Sequence, residues 1–111
     1  MERWLLIVET NCSDPRKEKE FNRWYDTVQV PHMLETPGIM RATRYENSNP
    51  AEGEGKFLTL YDIETEDLGQ TMAIEWDNRI KLEKQGRVSA LSVLVSARLC
   101  RQIAAPVGKK R

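Results

Sequence analysis

The stretch FNRWYDTVQVPHMLETPG, residues 21–38, brings together Trp24 and Tyr25, the amide of Gln29 and His32, the single histidine of the 111-residue chain. An imidazole is the one side chain that titrates near neutral pH without special perturbation, so His32 is the candidate acid–base. Tyr25 stands seven residues earlier and can donate a proton to an oxygen on which charge develops. Downstream, Arg41 and Arg44 are candidate anchors for a substrate carboxylate, and Tyr45 and Tyr61 are further hydroxyl donors. Together these types suit general acid–base chemistry on a small apolar compound, with Trp24 and Gln29 as wall and amide contact. Each residue also has a plainer reading. Trp24 falls at helical spacing with Phe21 and Val28 and fits a core stripe; Tyr25 can bury its ring; His32, next to Pro31, fits a solvated or capping position.

Other chemistries lack their residues. There is no G-x-S-x-G, and neither cysteine stands near the histidine in sequence. EGEGK at 52–56 is acidic and lacks Walker spacing, so no phosphate loop is expected. One histidine among scattered carboxylates is a poor metal site, and no metal or cofactor is expected. A haem would have to take His32 as its axial ligand.

The bulk composition narrows the class. Lysine plus arginine equals aspartate plus glutamate at seventeen each, for a formal net charge of zero. Broad nucleic-acid binding needs a basic surface that this balance does not provide. The only basic cluster, GKKR at 108–111, reads as a solvated tail. Residues 1–104 are expected to form one domain and residues 105–111 the tail. The longest early apolar run, Trp4 to Val8, is too short for a signal-peptide core or a membrane span. Cys12 and Cys100 have no metal or redox spacing, so the expectation is a soluble, cytoplasmic protein.

The elements that position these residues follow from periodicity. RWLLIVET at 3–10 reads as a strand. Asp14 then caps a helix with Pro15 at its first position, and Pro31 and TPG at 36–38 end it. IMRATRYEN at 39–47 and KFLTLYDIE at 56–64 read as strands around the polar loop 48–55. Thr65 is a candidate cap for a second helix, in which Leu68, Met72, Trp76 and Ile80 recur every four residues and Gly86 is the stop. Residues 87–103 read as a final strand.

The order β-α-β-β-α-β predicts an α+β, ferredoxin-like sandwich: a four-stranded antiparallel sheet with two helices on one face. Strand one would lie centrally beside strand four, which places the two cysteines too far apart to bond within one chain. Leu91, Val93, Val95, Ala97 and Leu99 are expected on one side of strand four. The other sheet face should be polar if it meets water, yet the central strands are apolar on both sides: Trp4, Leu6 and Val8 against Leu5 and Ile7, and Phe57, Tyr61 and Ile63 against Leu58 and Leu60. A second copy packed sheet to sheet would cover it, so a homodimer through the open face is expected.

The motif F-x-x-W-Y-D-x-V-x-V-P-x-x-L-x-x-P-G at 21–38, with RATRYE at 41–46, resembles the EthD-like family of dimeric α+β-barrel proteins. The resemblance implies a dimeric α+β barrel with small hydrophobic or aromatic pockets. The superfamily includes monooxygenases that need no metal, polyketide cyclases, muconolactone-type isomerases and haem-degrading enzymes. The family commonly carries V-H-x-P, where this chain has Gln29 within VQVP and places a histidine at 32 instead. Glutamine hydrogen-bonds but does not exchange protons at neutral pH. The expected function is therefore small-molecule handling by a cofactor-free isomerase, cyclase or oxygenase acting on a small aromatic or lactone-like compound. His32 and Tyr25 would act as catalytic groups, with Trp24, Gln29, Arg41, Tyr45 and Tyr61 binding substrate. The alternatives are a non-catalytic binding or accessory protein for a hydrophobic metabolite, and a structural dimer without ligand.

Overall fold

The computed structural model describes residues 1–110. Four strands, β1 (Glu2–Cys12), β2 (Ile39–Glu46), β3 (Phe57–Thr65) and β4 (Ser92–Arg101), form one antiparallel sheet in the order β2-β3-β1-β4. This is the ferredoxin-like α+β architecture. β1 is central and runs antiparallel to β4, with Cys12 opposite Ser92 and Cys100 opposite Leu5, and both thiols are free.

The first helical segment differs from expectation at its end. Asp14 caps a 3-10 turn at Pro15–Lys17 by accepting the Arg16 amide, and α1 (Glu18–Trp24) follows. Pro31 does not stop the helix. A π-helical turn spans Tyr25–Gln29, and α2 (Val30–Met33) carries the chain on through the proline. In an α-helix the ring of Pro31 would meet the Thr27 carbonyl, and its missing N–H would leave that carbonyl without a partner. Widening the turn, with the Val30 amide on the Tyr25 carbonyl, relieves the clash. The turn at 36–38 then ends the segment. Gly38 has φ of +97°, and a side chain there would meet the Glu64 carbonyl at 3.1 Å.

The second helix, α3 (Leu68–Lys84), is capped by Asp67, whose carboxylate accepts the Gln70 amide at 3.1 Å. Thr65 lies just outside it, accepting the Asp67 amide. Gly86, with φ of +66°, closes the helix: its amide reaches the Glu83 carbonyl and that of Arg87 reaches Leu82. The four-residue apolar stripe is only partly internal. Leu68 and Met72 pack on the core, whereas Trp76 is exposed, and the buried residues of α3 are Thr71, Glu75 and Leu82.

Both helical segments cover the same sheet face. Leu6, Tyr61 and Ile63 meet Met33, Ile39, Leu68 and Met72, and Phe57 meets Phe21 and Tyr25. The ring of Phe21, fully buried, lies 5.3 Å from that of Phe57. β4 departs from simple alternation. Glu9 pairs with Ser96 but Thr10 pairs with Leu94, so Val95 is a bulge. As a result Leu94, rather than Val93 and Val95, joins Ala97 and Leu99 on the helix side, while Leu91, just before the strand, packs against Phe21, Tyr25 and Phe57. On the open face Leu5, Ile7, Leu58 and Leu60 are half-buried, and Tyr45 and Val93 are exposed. No helix among the described residues is long and apolar enough to cross a membrane.

Candidate functional site

The helices leave the β4 side of the sheet uncovered, and a cavity of about 430 Å³ lies there between sheet and helices. β1 contributes Leu6, Val8 and Thr10 to it, and β3 contributes Tyr61. Tyr25 and Gln29, the two ends of the π turn, form one wall with Met33. Met72, Arg79 and Leu82 of α3 form another, and Leu94, Ala97 and Leu99 line the side of β4. Leu94, Leu99 and Val88 are exposed at its rim. The walls are mostly aliphatic and aromatic, with few polar groups, as in small-molecule sites.

Trp24 stands at the rim, fixed by an Nε1–H bond of 2.8 Å to the Arg87 carbonyl. Tyr25 is held by edge-on contacts with Phe21 and Trp24, and by the Arg44 guanidinium 4.4 Å from its ring centre. Arg44 in turn donates to Asp26 and Asn22 on the same helical segment. It thus braces the π turn from the side of β2 and does not line the cavity.

Tyr61 is 1% exposed and its hydroxyl has no hydrogen-bond partner. Burial above all, then the charge of Tyr25 and an approach to its side chain that falls short of hydrogen-bond geometry, with Glu75 last, drives its ionisation far above the ordinary tyrosine range, while Arg44 opposes. It is therefore a neutral donor at any physiological pH. Thr10, also on the lining, has a buried unpartnered hydroxyl as well. Buried polar atoms without partners are rare in native proteins, and those that occur call for a physical reason.

Of the residues singled out in the sequence, Trp24, Tyr25, Gln29 and Tyr61 come together here. Arg41, Tyr45 and His32 lie elsewhere. Arg41 and Tyr45 project from the open sheet face, and Arg41 pairs with Asp62 at 2.8 Å. His32 is buried between α2 and α3, where its Nε2–H donates to the Asn78 carbonyl at 2.7 Å and Nδ1 lies 3.4 Å from Glu35. The Asn78 amide bonds Thr36 in the same seam. Among the described residues the lining holds no histidine and one carboxylate, Glu83. Thr10, Arg79 and Glu83 were not singled out from the sequence. Thr10 had a visible signal, a polar residue in phase with Trp4, Leu6 and Val8; Arg79 is seven residues beyond Met72, which places both on one side of α3. Among the described residues no group of three or more histidine, cysteine, aspartate or glutamate side chains is gathered.

No family model matches the sequence, and no curated protein matches it. Solved structures do. A dimeric ferredoxin-like protein from an uncultured marine organism superposes with a TM-score of 0.67 at 11% identity, over 96% of this chain and 100% of that one. An ethyl tert-butyl ether D (EthD) family protein from Bacillus halodurans gives 0.56 at 16% identity, covering 93% and 100%. SnoaB, a cofactor-independent oxygenase from Streptomyces nogalater, gives 0.56 at 12% identity, covering 96% and 97%. The chain thus has the fold of the dimeric α+β-barrel proteins, an EthD family protein among them. At these identities the likeness establishes the fold and leaves activity to the site.

Proposed function

We propose that this chain is a small-molecule enzyme that works without a bound cofactor. It would take an aromatic or lactone-like compound into the cavity between sheet and helices and stabilise its enolate or phenolate form. The observation that carries this reading is the buried Tyr61 hydroxyl, without a hydrogen bond of good geometry, on a mostly apolar lining. In the free protein that donor has no hydrogen bond of good geometry; in the complex it would meet an oxygen that gains negative charge, so the interaction strengthens as the reaction proceeds. Gln29 orients the substrate through its amide, and Tyr25 and Trp24 pack against its ring. Glu83, the carboxylate on the lining, takes the proton that leaves. His32 acts from outside as a positioning residue, locking α2 to α3 and with it the end of the π turn. The likeness to a cofactor-independent oxygenase supports the class of chemistry. A second copy on the open sheet face completes the assembly; the half-buried leucines there and the dimeric structural neighbour support it.

The test is turnover of a panel of phenols, lactones and polyketide-like compounds, followed by Tyr61→Phe on whatever substrate emerges. Removing one oxyanion donor should lower kcat by roughly 100- to 1,000-fold. An unchanged kcat would remove Tyr61 from the chemistry. The absence of histidine from the lining favours one second reading, a carrier that binds a hydrophobic metabolite and returns it unchanged. Saturable binding across the panel with no product from any compound would establish the carrier.

A further inference from the structure

Arg79 is held in a way that its place in the fold does not require. Its Nε and Nη2 donate to Glu75 Oε1 at 3.1 and 2.7 Å, and its guanidinium carbon lies 5.2 Å from the Trp76 ring centre. Glutamate–arginine pairs four apart on a helix are ordinarily solvated on both sides and contribute little. Here the glutamate is 2% exposed while the arginine is about half-exposed and lines the cavity. Burying a carboxylate for one ion pair is a poor stability device, because desolvation offsets the attraction. What the arrangement achieves is orientation. A guanidinium carries five N–H donors in a rigid fork, and Glu75 occupies the Nε edge. The Nη1–Nη2 end remains, fixed in direction by the carboxylate behind it and the indole beside it. That end matches a carboxylate in two-point geometry.

We infer that the ligand is an amphiphilic carboxylic acid. Its carboxylate binds the outer end of Arg79, its apolar body fills the cavity, and a carbonyl or hydroxyl oxygen at its far end meets Tyr61 and Thr10. This rests on the cavity being the substrate site and goes beyond it by naming the charged group. Glu75 is then a positioning residue for Arg79.

The experiment is isothermal titration calorimetry at pH 7 with benzoic, 2-naphthoic and 6-hydroxy-2-naphthoic acids, each against its methyl ester. At least one acid should bind roughly 10- to 100-fold more tightly than its ester, the range for a hydrogen bond to a charged group. Arg79→Gln should reduce that ratio to near unity. Since this substitution leaves Glu75 buried without a partner, the Glu75→Gln/Arg79→Gln double variant is measured beside it, and its folding checked by circular dichroism. Acids and esters binding equally well to the unsubstituted protein would overturn the inference while upholding the cavity as a binding site. No binding of either kind would overturn the reading on which it rests. An acid preference that survives in the double variant would take the carboxylate away from Arg79.

Discussion

Tyr61→Phe should move stability and activity in opposite directions. The substitution removes one oxygen from a residue that is 1% exposed, and that oxygen has no partner in the free protein. An unsatisfied buried hydroxyl costs about 1–3 kcal/mol of desolvation with no compensating hydrogen bond. The phenyl ring keeps the contacts with Leu6, Met33, Ile39 and Ile63, so no cavity term opposes the gain. The variant should therefore be more stable by about 1–2 kcal/mol. With a urea slope of about 1–3 kcal/mol/M for a domain of this size, the midpoint should rise by roughly 0.3–2 M at unchanged slope. The assay is urea unfolding without ligand at fixed protomer concentration, since any self-association adds to apparent stability. The same variant should lose roughly 100- to 1,000-fold in kcat. A midpoint that falls by an equivalent of about 1 kcal/mol or more would refute the reasoning, because it would mean that the hydroxyl is already satisfied in the free protein.

Three further outcomes are expected. His32→Gln breaks the bond to the Asn78 carbonyl and should lower stability by about 1–3 kcal/mol in the same assay; kcat should change less than for Tyr61→Phe, and its pH profile should keep its shape between pH 6 and 8. Gly38→Ala places a side chain 3.1 Å from the Glu64 carbonyl at a positive φ, and calorimetric melting should show a loss of about 1–2 kcal/mol. The Glu9 carboxyl is held below its usual value by the Ser96 hydroxyl and the Gly55 amide, against burial, with Arg98 assisting. A depressed folded-state pKa contributes stability above the unfolded value of about 4.5, and that contribution is lost as pH falls through the folded one. Glu9→Gln should accordingly flatten the acid side of the stability profile below pH 4.5, read as melting temperature against pH.

The fold was legible because long-range order is written in short-range period. β3 alternates strictly, α3 ends at its terminal glycine, and the element order places β1 centrally beside β4, although the helix cap is Asp67 rather than the expected Thr65. The departures arise where one residue changes the phase of everything after it. Val95 bulges because of how β4 meets β1, which no local pattern in SVLVSARL reveals. Pro31 reads as a terminator by every local rule, yet a single π turn lets the helix pass it. That turn in turn decides the site. It puts Tyr25 and Gln29 on the cavity and carries His32 round to the seam with α3, although His32 is only three residues from Gln29. Arg41 and Tyr45 are near the motif in sequence but on the opposite sheet face, because alternation in β2 separates them from Arg44. Arg79 stands beside Trp76 on the same side of α3 as Met72, but a charged residue next to the apolar stripe reads locally as its solvated margin.

The claim that the cavity between sheet and helices is the ligand site is tested most directly by a ¹H–¹⁵N NMR titration of the isotope-labelled protein with a bound compound from the panel. The account predicts saturable shifts clustered at Thr10, Gln29, Tyr61, Arg79 and Leu99. Shifts clustered instead at Leu5, Tyr45 and Leu58 on the open face, or at His32 and Asn78 in the seam between α2 and α3, would contradict it.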